Sequence, residues 1–224
     1  MSDKVSEKRQ LPLWQESILL IVTALVMAVI VKTFLVQAFY IPSGSMEPTM
    51  LVNDRILVQK VSYWNHDVKR GDIVVFDDPG NWLDAEDSRQ PHNAVQRGLE
   101  MFGLFPTGGH LIKRVIGIGG DEVKCCDTNG HLEVNGDSLD EPYVLDESLT
   151  HDVTFDVKVP KKHIWVMGDN RGNSADSRLH MGDPGGGFVP VSNIVGKAWL
   201  RVWPWNRAGF VKYPDTFNAL NKKK

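Results

Sequence analysis

Hydrophobic positions along this 224-residue chain follow two patterns. The first is a continuous block. From Ser17 the chain reads Ile-Leu-Leu-Ile-Val-Thr-Ala-Leu-Val-Met-Ala-Val-Ile-Val, and no charge appears until Lys32. Carried on to Val36, the run approaches the roughly 20 residues that a bilayer crossing needs. It is apolar all round, unlike the one-sided stripe of a surface helix. Trp14 precedes it, and Phe34, Phe39 and Tyr40 lie at its far end, so aromatic residues mark both interfaces. Lys32 would sit near the outer end, with its amine reaching toward water. A buried core helix is the competing reading. A cleaved leader would have an apolar core of about 7–15 residues and then a small-residue cleavage site, and Val36-Gln37-Ala38-Phe39 offers no convincing one. The pattern therefore predicts an uncleaved transmembrane anchor over residues 17–38, after a short solvated tail over 1–16. Charge alone does not orient it. Lys4, Lys8 and Arg9 on one side are answered by Arg55, Lys60, Lys69 and Arg70 on the other, and long domains cross largely regardless of such charges.

The second pattern is that of strands. Short β-branched or alternating runs occur at 55–61, 72–76, 111–116, 122–125, 131–134, 153–159, 163–167 and 194–203. Asn129-Gly130 and Asn135-Gly136 are hairpin dipeptides. Strands at this spacing with few helical periods predict a mainly β domain over 39–224. It is interrupted by a long insertion over 77–110, whose middle, 94–105, has the makings of one short amphipathic helix. Near the C-terminus Trp199, Trp203, Trp205 and Phe210 crowd together. They read either as a core strand entering a turn or as a surface that dips into a membrane interface.

Composition adds exclusions. A net charge of −3 argues against a nucleic-acid partner, which favours a basic face. Two cysteines, Cys125 and Cys126, are too few for a disulfide framework. Their adjacency lacks zinc-ligand spacing and leaves two readings, small packing residues or a vicinal disulfide. Gly117-Ile118-Gly119-Gly120 lacks dinucleotide-binding spacing, and no helix is predicted after it.

The candidate chemistry lies just beyond the apolar block, in Tyr40-Ile41-Pro42-Ser43-Gly44-Ser45-Met46-Glu47-Pro48-Thr49-Met50. A serine there, between prolines, sits in a stiff turn, and it needs a base to become a nucleophile. The seven histidines stand in no recognisable catalytic motif; His151-Asp152 is the nearest candidate, and it reads as a surface turn. Lysine is the alternative base if burial lowers its pKa. Lys113 lies in Leu111-Ile112-Lys113-Arg114-Val115-Ile116. In a strand, Lys113 and Arg114 are both flanked by aliphatic residues, so side-chain parity does not choose between them. Only lysine can give up its proton.

Together with Gly168-Asp169-Asn170-Arg171-Gly172-Asn173-Ser174-Ala175-Asp176-Ser177-Arg178, these stretches resemble, in order, the three boxes of bacterial signal peptidase I, a membrane-bound Ser/Lys peptidase family. The resemblance implies that Ser45 is the acyl-forming nucleophile and Lys113 its general base. It implies that Ser43 joins the Ser45 backbone N–H in an oxyanion hole, that Ser174 orients the lysine amine, and that Asp176 with Arg178 supports that network. Ile41, Pro42, Met46, Met50, Leu111 and Ile112 match positions lining clefts for the residues one and three before the cut, which would admit only small side chains. Met50 stands where leucine is commoner, Glu47 where an apolar residue is, and Gly172 where aspartate is. The family further implies signal-peptide-bearing precursors as partners, contact with membrane lipid, no cofactor and no metal. It also implies a single-pass plasma-membrane protein with its N-terminus in the cytoplasm and its catalytic domain outside. The competing readings are a related Ser/Lys maturation peptidase with one dedicated substrate, and a catalytically silent membrane-tethered β-domain that binds exported chains.

Overall fold

The computed structural model describes residues 12–30, 35–63, 66–80, 82–83, 109–146, 150 and 152–222. The start of the expected tail, Lys32, Phe34, the short helix expected over 94–105, His92 and His151 lie outside these residues.

Helix α1 spans Leu13–Ile30. Its described Leu, Ile and Val side chains, from Leu13 to Val29, are exposed. Among the described residues no helix is long and apolar enough to cross a membrane. The apolar run that the sequence presents as one span is divided here, because Val36–Tyr40 is strand β1. Its residues pair antiparallel with Arg55–Gln59, strand β2, from Val36↔Gln59 to Tyr40↔Arg55. Val36, Ala38 and Phe39 are as compatible with a strand as with a helix, and a partner some twenty residues on decides the matter.

The remaining strands are β3 (Ile73–Asp77), β4 (His110–Ile118), β5 (Glu122–Cys125), β6 (Leu132–Val134), β7 (Asp137–Ser138), β8 (Phe155–Lys158), β9 (His163–Met167), β10 (Val189–Pro190), β11 (Ile194–Trp203) and β12 (Gly209–Phe210). The large sheet runs β1-β2-β11-β3-β4-β9-β10, with β12 on β11, and the small one β7-β6-β5-β8. The fold is therefore mainly β, as the spacing of apolar runs implies. A short C-terminal helix, α2 (Thr216–Lys222), was not foreseen. It buries Phe217 and Leu220 beside Ile116, Val123 and Trp165, in the core between the two sheets. Buried Arg70 fixes it, donating to Asp121 and to the Leu220 carbonyl.

Two further cores flank the large sheet. One gathers Ile41, Met46, Met50, Ile56, Val58, Ile73, Val75, Ile112 and Ala198, and so fastens the segment after β1 onto the sheet. The other holds Val68, Val74, Phe76, Leu111, Val115, Ile164 and Val166. Cys125 and Cys126 are joined by a disulfide at the end of β5, an inner strand of the small sheet; this is the second of the two sequence readings.

Candidate active site

Strand β1 delivers the chain to a tight turn. Ile41 N–H donates to Asp54 O and Asn53 N–H returns to Ile41 O, which closes a loop around residues 42–52. Within it Gly44–Met46 forms one 3-10 turn, with Met46 and Met50 buried beneath and Ser45 only 6% exposed. Apolar anchors on both sides of Ser45 thus hold a polar residue at a fixed height over the sheet.

Strand β4 meets it from below. β4 pairs with β3 from His110 to Arg114, and with β9 from Arg114 onward. Alternation sends its two adjacent cations to opposite faces. Lys113, 4% exposed, places Nζ 2.8 Å from Ser45 Oγ. Burial strips the ammonium of water and brings its pKa from the usual 10.5 down to about 8. The Arg178 cation pushes the same way, while Asp176 and Asp169 hold the value up. Arg114 instead donates to both oxygens of Asp169, at 2.8 and 2.6 Å, and stacks 4.1 Å over the Tyr143 ring. Of the two cations, Lys113 is therefore the one beside Ser45.

The segment after β9 closes the site from the side. Asn170 N–H donates to Ser45 O and its side-chain amide to Gly44 O, each at 3.1 Å. Asp169 accepts from Thr49 Oγ1 at 2.5 Å. Gly168 passes so close that a Cβ would overlap Ser45 O and Ser174 Oγ. Asp176 accepts the Gly168 N–H, the Arg178 backbone N–H and two bonds from the Arg178 guanidinium. Burial alone would raise its carboxyl, but the Arg178 bonds and charge win, and Asp176 is held below the usual range. Arg178 also donates to Arg171 O, and Arg171 makes two bonds to Glu141, itself bonded to Tyr143. Three buried arginine–carboxylate pairs thus brace this segment, each two-pronged and hence directional.

Most of the expected residues meet here, with exceptions. Ser43 Oγ lies 3.5 Å from Ser45 Oγ. Ser174 is buried in the site, with its hydroxyl close to Gly168 and acting on the Asp176 carboxyl. Among the described residues it makes no hydrogen bond of good geometry, so the expected bond to the Lys113 amine is not seen. Ile41, Met46, Met50 and Ile112 share one cluster. Leu111 points into the other core, as alternation requires, and Pro42 is exposed. Leu111 and Ile112 therefore do not wall one common cleft. None of the described histidines is seen to bond Ser45: His110 lies against Asp77, His131 against Asp127, His163 against a backbone carbonyl and His180 against Asp183, and His66 is exposed. Among the described residues no three His, Cys, Asp or Glu side chains gather as metal ligands.

Sequence reasoning gave no role to Thr49, Arg114, Asp169, Asn170 or Arg171, although all stand in or beside the three motifs. Glu141 and Tyr143 carried no signal, since only the fold brings them to Arg171.

The turn after Ser45 is also tied to the tryptophan-rich end. Asp54, 1% exposed, faces Arg207 at 3.0 Å and Arg201 at 3.5 Å, and Arg201 donates to Thr49 O. Trp203, Trp205 and Phe210, and also Leu51 and Val52, are exposed on these two connected turns. Trp199 is partly buried and packs on Phe210. Each sequence reading of the tryptophans thus fits different members.

A family model described as signal peptidase, peptidase S26, matches residues 14–203. The chain is 39% identical over 239 residues to the probable signal peptidase I of Mycobacterium leprae, covering 92% of this chain and 82% of that one. It is 40% identical over 222 residues to signal peptidase I of Mycobacterium tuberculosis, covering 88% and 75%. The probable signal peptidase I-2 of Synechocystis is 38% identical over 211 residues, covering 93% and 83%.

Proposed function

Because this chain belongs to the signal peptidase family, peptidase S26, we infer that it is a serine endopeptidase that removes signal peptides from precursor proteins. For its mechanism we propose a Ser45/Lys113 dyad, and the observation that carries it is the 2.8 Å contact between a buried amine and a buried hydroxyl. Once neutral, Lys113 accepts the Ser45 proton as Oγ attacks the scissile carbonyl carbon. Negative charge grows on the carbonyl oxygen and is received by the Ser43 hydroxyl and the Ser45 backbone N–H. Collapse breaks the peptide bond, and Lys113 returns its proton to the departing amine. A water then gives Lys113 its proton, attacks the acyl ester and frees Ser45. Asp176 and Arg178 act on Lys113 with opposite sign, and we assign Ser174 a supporting place beside Asp176.

The precursor lies extended along β4. Over residues 110–113 that strand is paired with β3, and no described strand lies on its other side until β9 joins at Arg114. An added strand there would place its backbone beside Ser45. Ile41, Met46, Met50 and Ile112 form the apolar floor that favours small side chains before the cut, with Pro42 at the lip and Leu111 supporting β4 from behind.

The enzyme works at a membrane. Exposed Leu, Ile and Val around α1, and exposed Trp203, Trp205 and Phe210 near the Ser45 turn, suit lipid and its interface better than water. We place residues 1–16 in the cytoplasm, the anchor within 17–38 and the catalytic domain of 39–224 outside a plasma membrane. The anchor's last residues already belong to β1. Detergent-solubilised protein incubated with a secretory precursor tests the mechanism. Wild type yields mature protein, and Ser45→Ala and Lys113→Ala each slow the reaction by about a thousandfold or more while keeping the folded spectrum. Cleavage by either variant at the native rate overturns the dyad.

A further inference from the structure

Around Ser45 nearly every charge is answered. Arg114 pairs with Asp169, Arg178 with Asp176, Arg171 with Glu141, and Arg201 and Arg207 with Asp54. Glu47 is the exception. Two residues after Ser45, its backbone N–H closes the 3-10 turn onto Gly44 O. Its carboxylate folds back over Gly44, with the carboxyl carbon 3.2 Å from where a Cβ would stand. It is neither buried nor fully exposed, and it has no hydrogen bond or ion pair among the described residues. Nor is it among the charges that act on Lys113. This unpaired, partly exposed carboxylate therefore stands on the same turn as Ser45, two residues from it, beside an apolar cluster.

We propose that Glu47 determines specificity, favouring precursors with a basic side chain next to the cut at positions not seated in the apolar clefts (two before, and one or two after, the scissile bond) and disfavouring acidic ones there. The inference rests on the signal-peptide-cleaving reading above. Attraction toward lysine and repulsion of glutamate both contribute, each at the strength of a partly exposed pair. The lysine/glutamate ratio of kcat/KM should then be about fivefold to tenfold at low salt, and it should shrink as salt rises.

The test uses the full chain in detergent and one precursor made with lysine, glutamine or glutamate at each of these positions. The readout is the ratio of kcat/KM between charged forms, with the glutamine form as internal reference. Wild type should prefer lysine, Glu47→Gln should bring the ratio close to one, and Glu47→Lys should invert it. A wild-type ratio near one at all three positions, or an unchanged ratio in Glu47→Gln, overturns the inference while leaving the peptidase reading intact. Failure of wild type to cut any of the precursors overturns both.

Discussion

Lys113 and Arg114 are adjacent cations in one strand, with opposite tasks. Arginine at 113 would stay charged and could not take the Ser45 proton, and lysine at 114 could not grip both oxygens of Asp169. The pKa of about 8 sets a pH dependence for the first. Below it the amine is charged and has no lone pair for the serine proton; above it the neutral fraction approaches one. Measured kcat/KM should therefore rise with pH, reach half its plateau near pH 8, and fall about tenfold for each unit below. A profile flat from pH 6 to 9 would rule out a lysine base. At this scale residue chemistry alone goes no further than preferring Lys113 to Arg114 as a base; the roles expected of Ser45, Ser43 and Asp176 come from the family resemblance of the short motifs, and the structure brings Ser43, Ser45 and Lys113 together. Short motifs do not reach the hydrogen-bond geometry of Ser174, whose hydroxyl lacks the expected bond, nor Glu141, whose partner Arg171 is 30 residues away.

The elements matter through their mutual spacing. The nucleophile turn rests on the segment after β9, and that rest is backbone to backbone, through Asn170 N–H and Ser45 O. Gly168 makes the approach feasible because any side chain there would strike Ser45 O. Gly168→Ala should therefore lower kcat by about a hundredfold through displacement of Ser45, and stability by about 1–3 kcal/mol through overpacking. Turnover assays and urea titration check the two effects, and a native kcat would show that the turn has slack. Strand alternation foretold β3, β4, β5 and β9 closely, since each has a contrast of apolar and polar faces or a bounded β-branched run. β1 was misassigned because its residues extend an apolar run that already fits a helix, and its true partner lies beyond a turn.

Across the whole molecule, most of the large exposed apolar side chains among the described residues lie on α1 and on the tryptophan-bearing turns, with Leu145, Leu179 and Val191 among those elsewhere. The tryptophan-bearing turns are clamped through Asp54, Arg201 and Arg207 to the loop carrying Ser45. On the proposed reading, lipid contact and chemistry share one end of the domain. A variant beginning at residue 35 should leave the membrane fraction yet still float with phospholipid vesicles, and adding Trp203→Ala and Trp205→Ala should abolish that flotation. Vesicle co-flotation of the three proteins decides it; if the shortened protein does not float, the tryptophans have no membrane role. This arrangement was only half legible beforehand. Tryptophan enrichment is visible in composition, but which indoles turn outward depends on the register of β11 with β2 and β12.

The flank of β4 over residues 110–113 accepts a polypeptide only if that polypeptide's own amides are unclaimed. A passenger that has already folded keeps those groups engaged in its own sheets and helices. On the proposed reading the enzyme thus senses conformation as well as sequence. Small-residue sites scattered through finished domains are spared, and the cut falls on the stretch still threadlike as it leaves the bilayer.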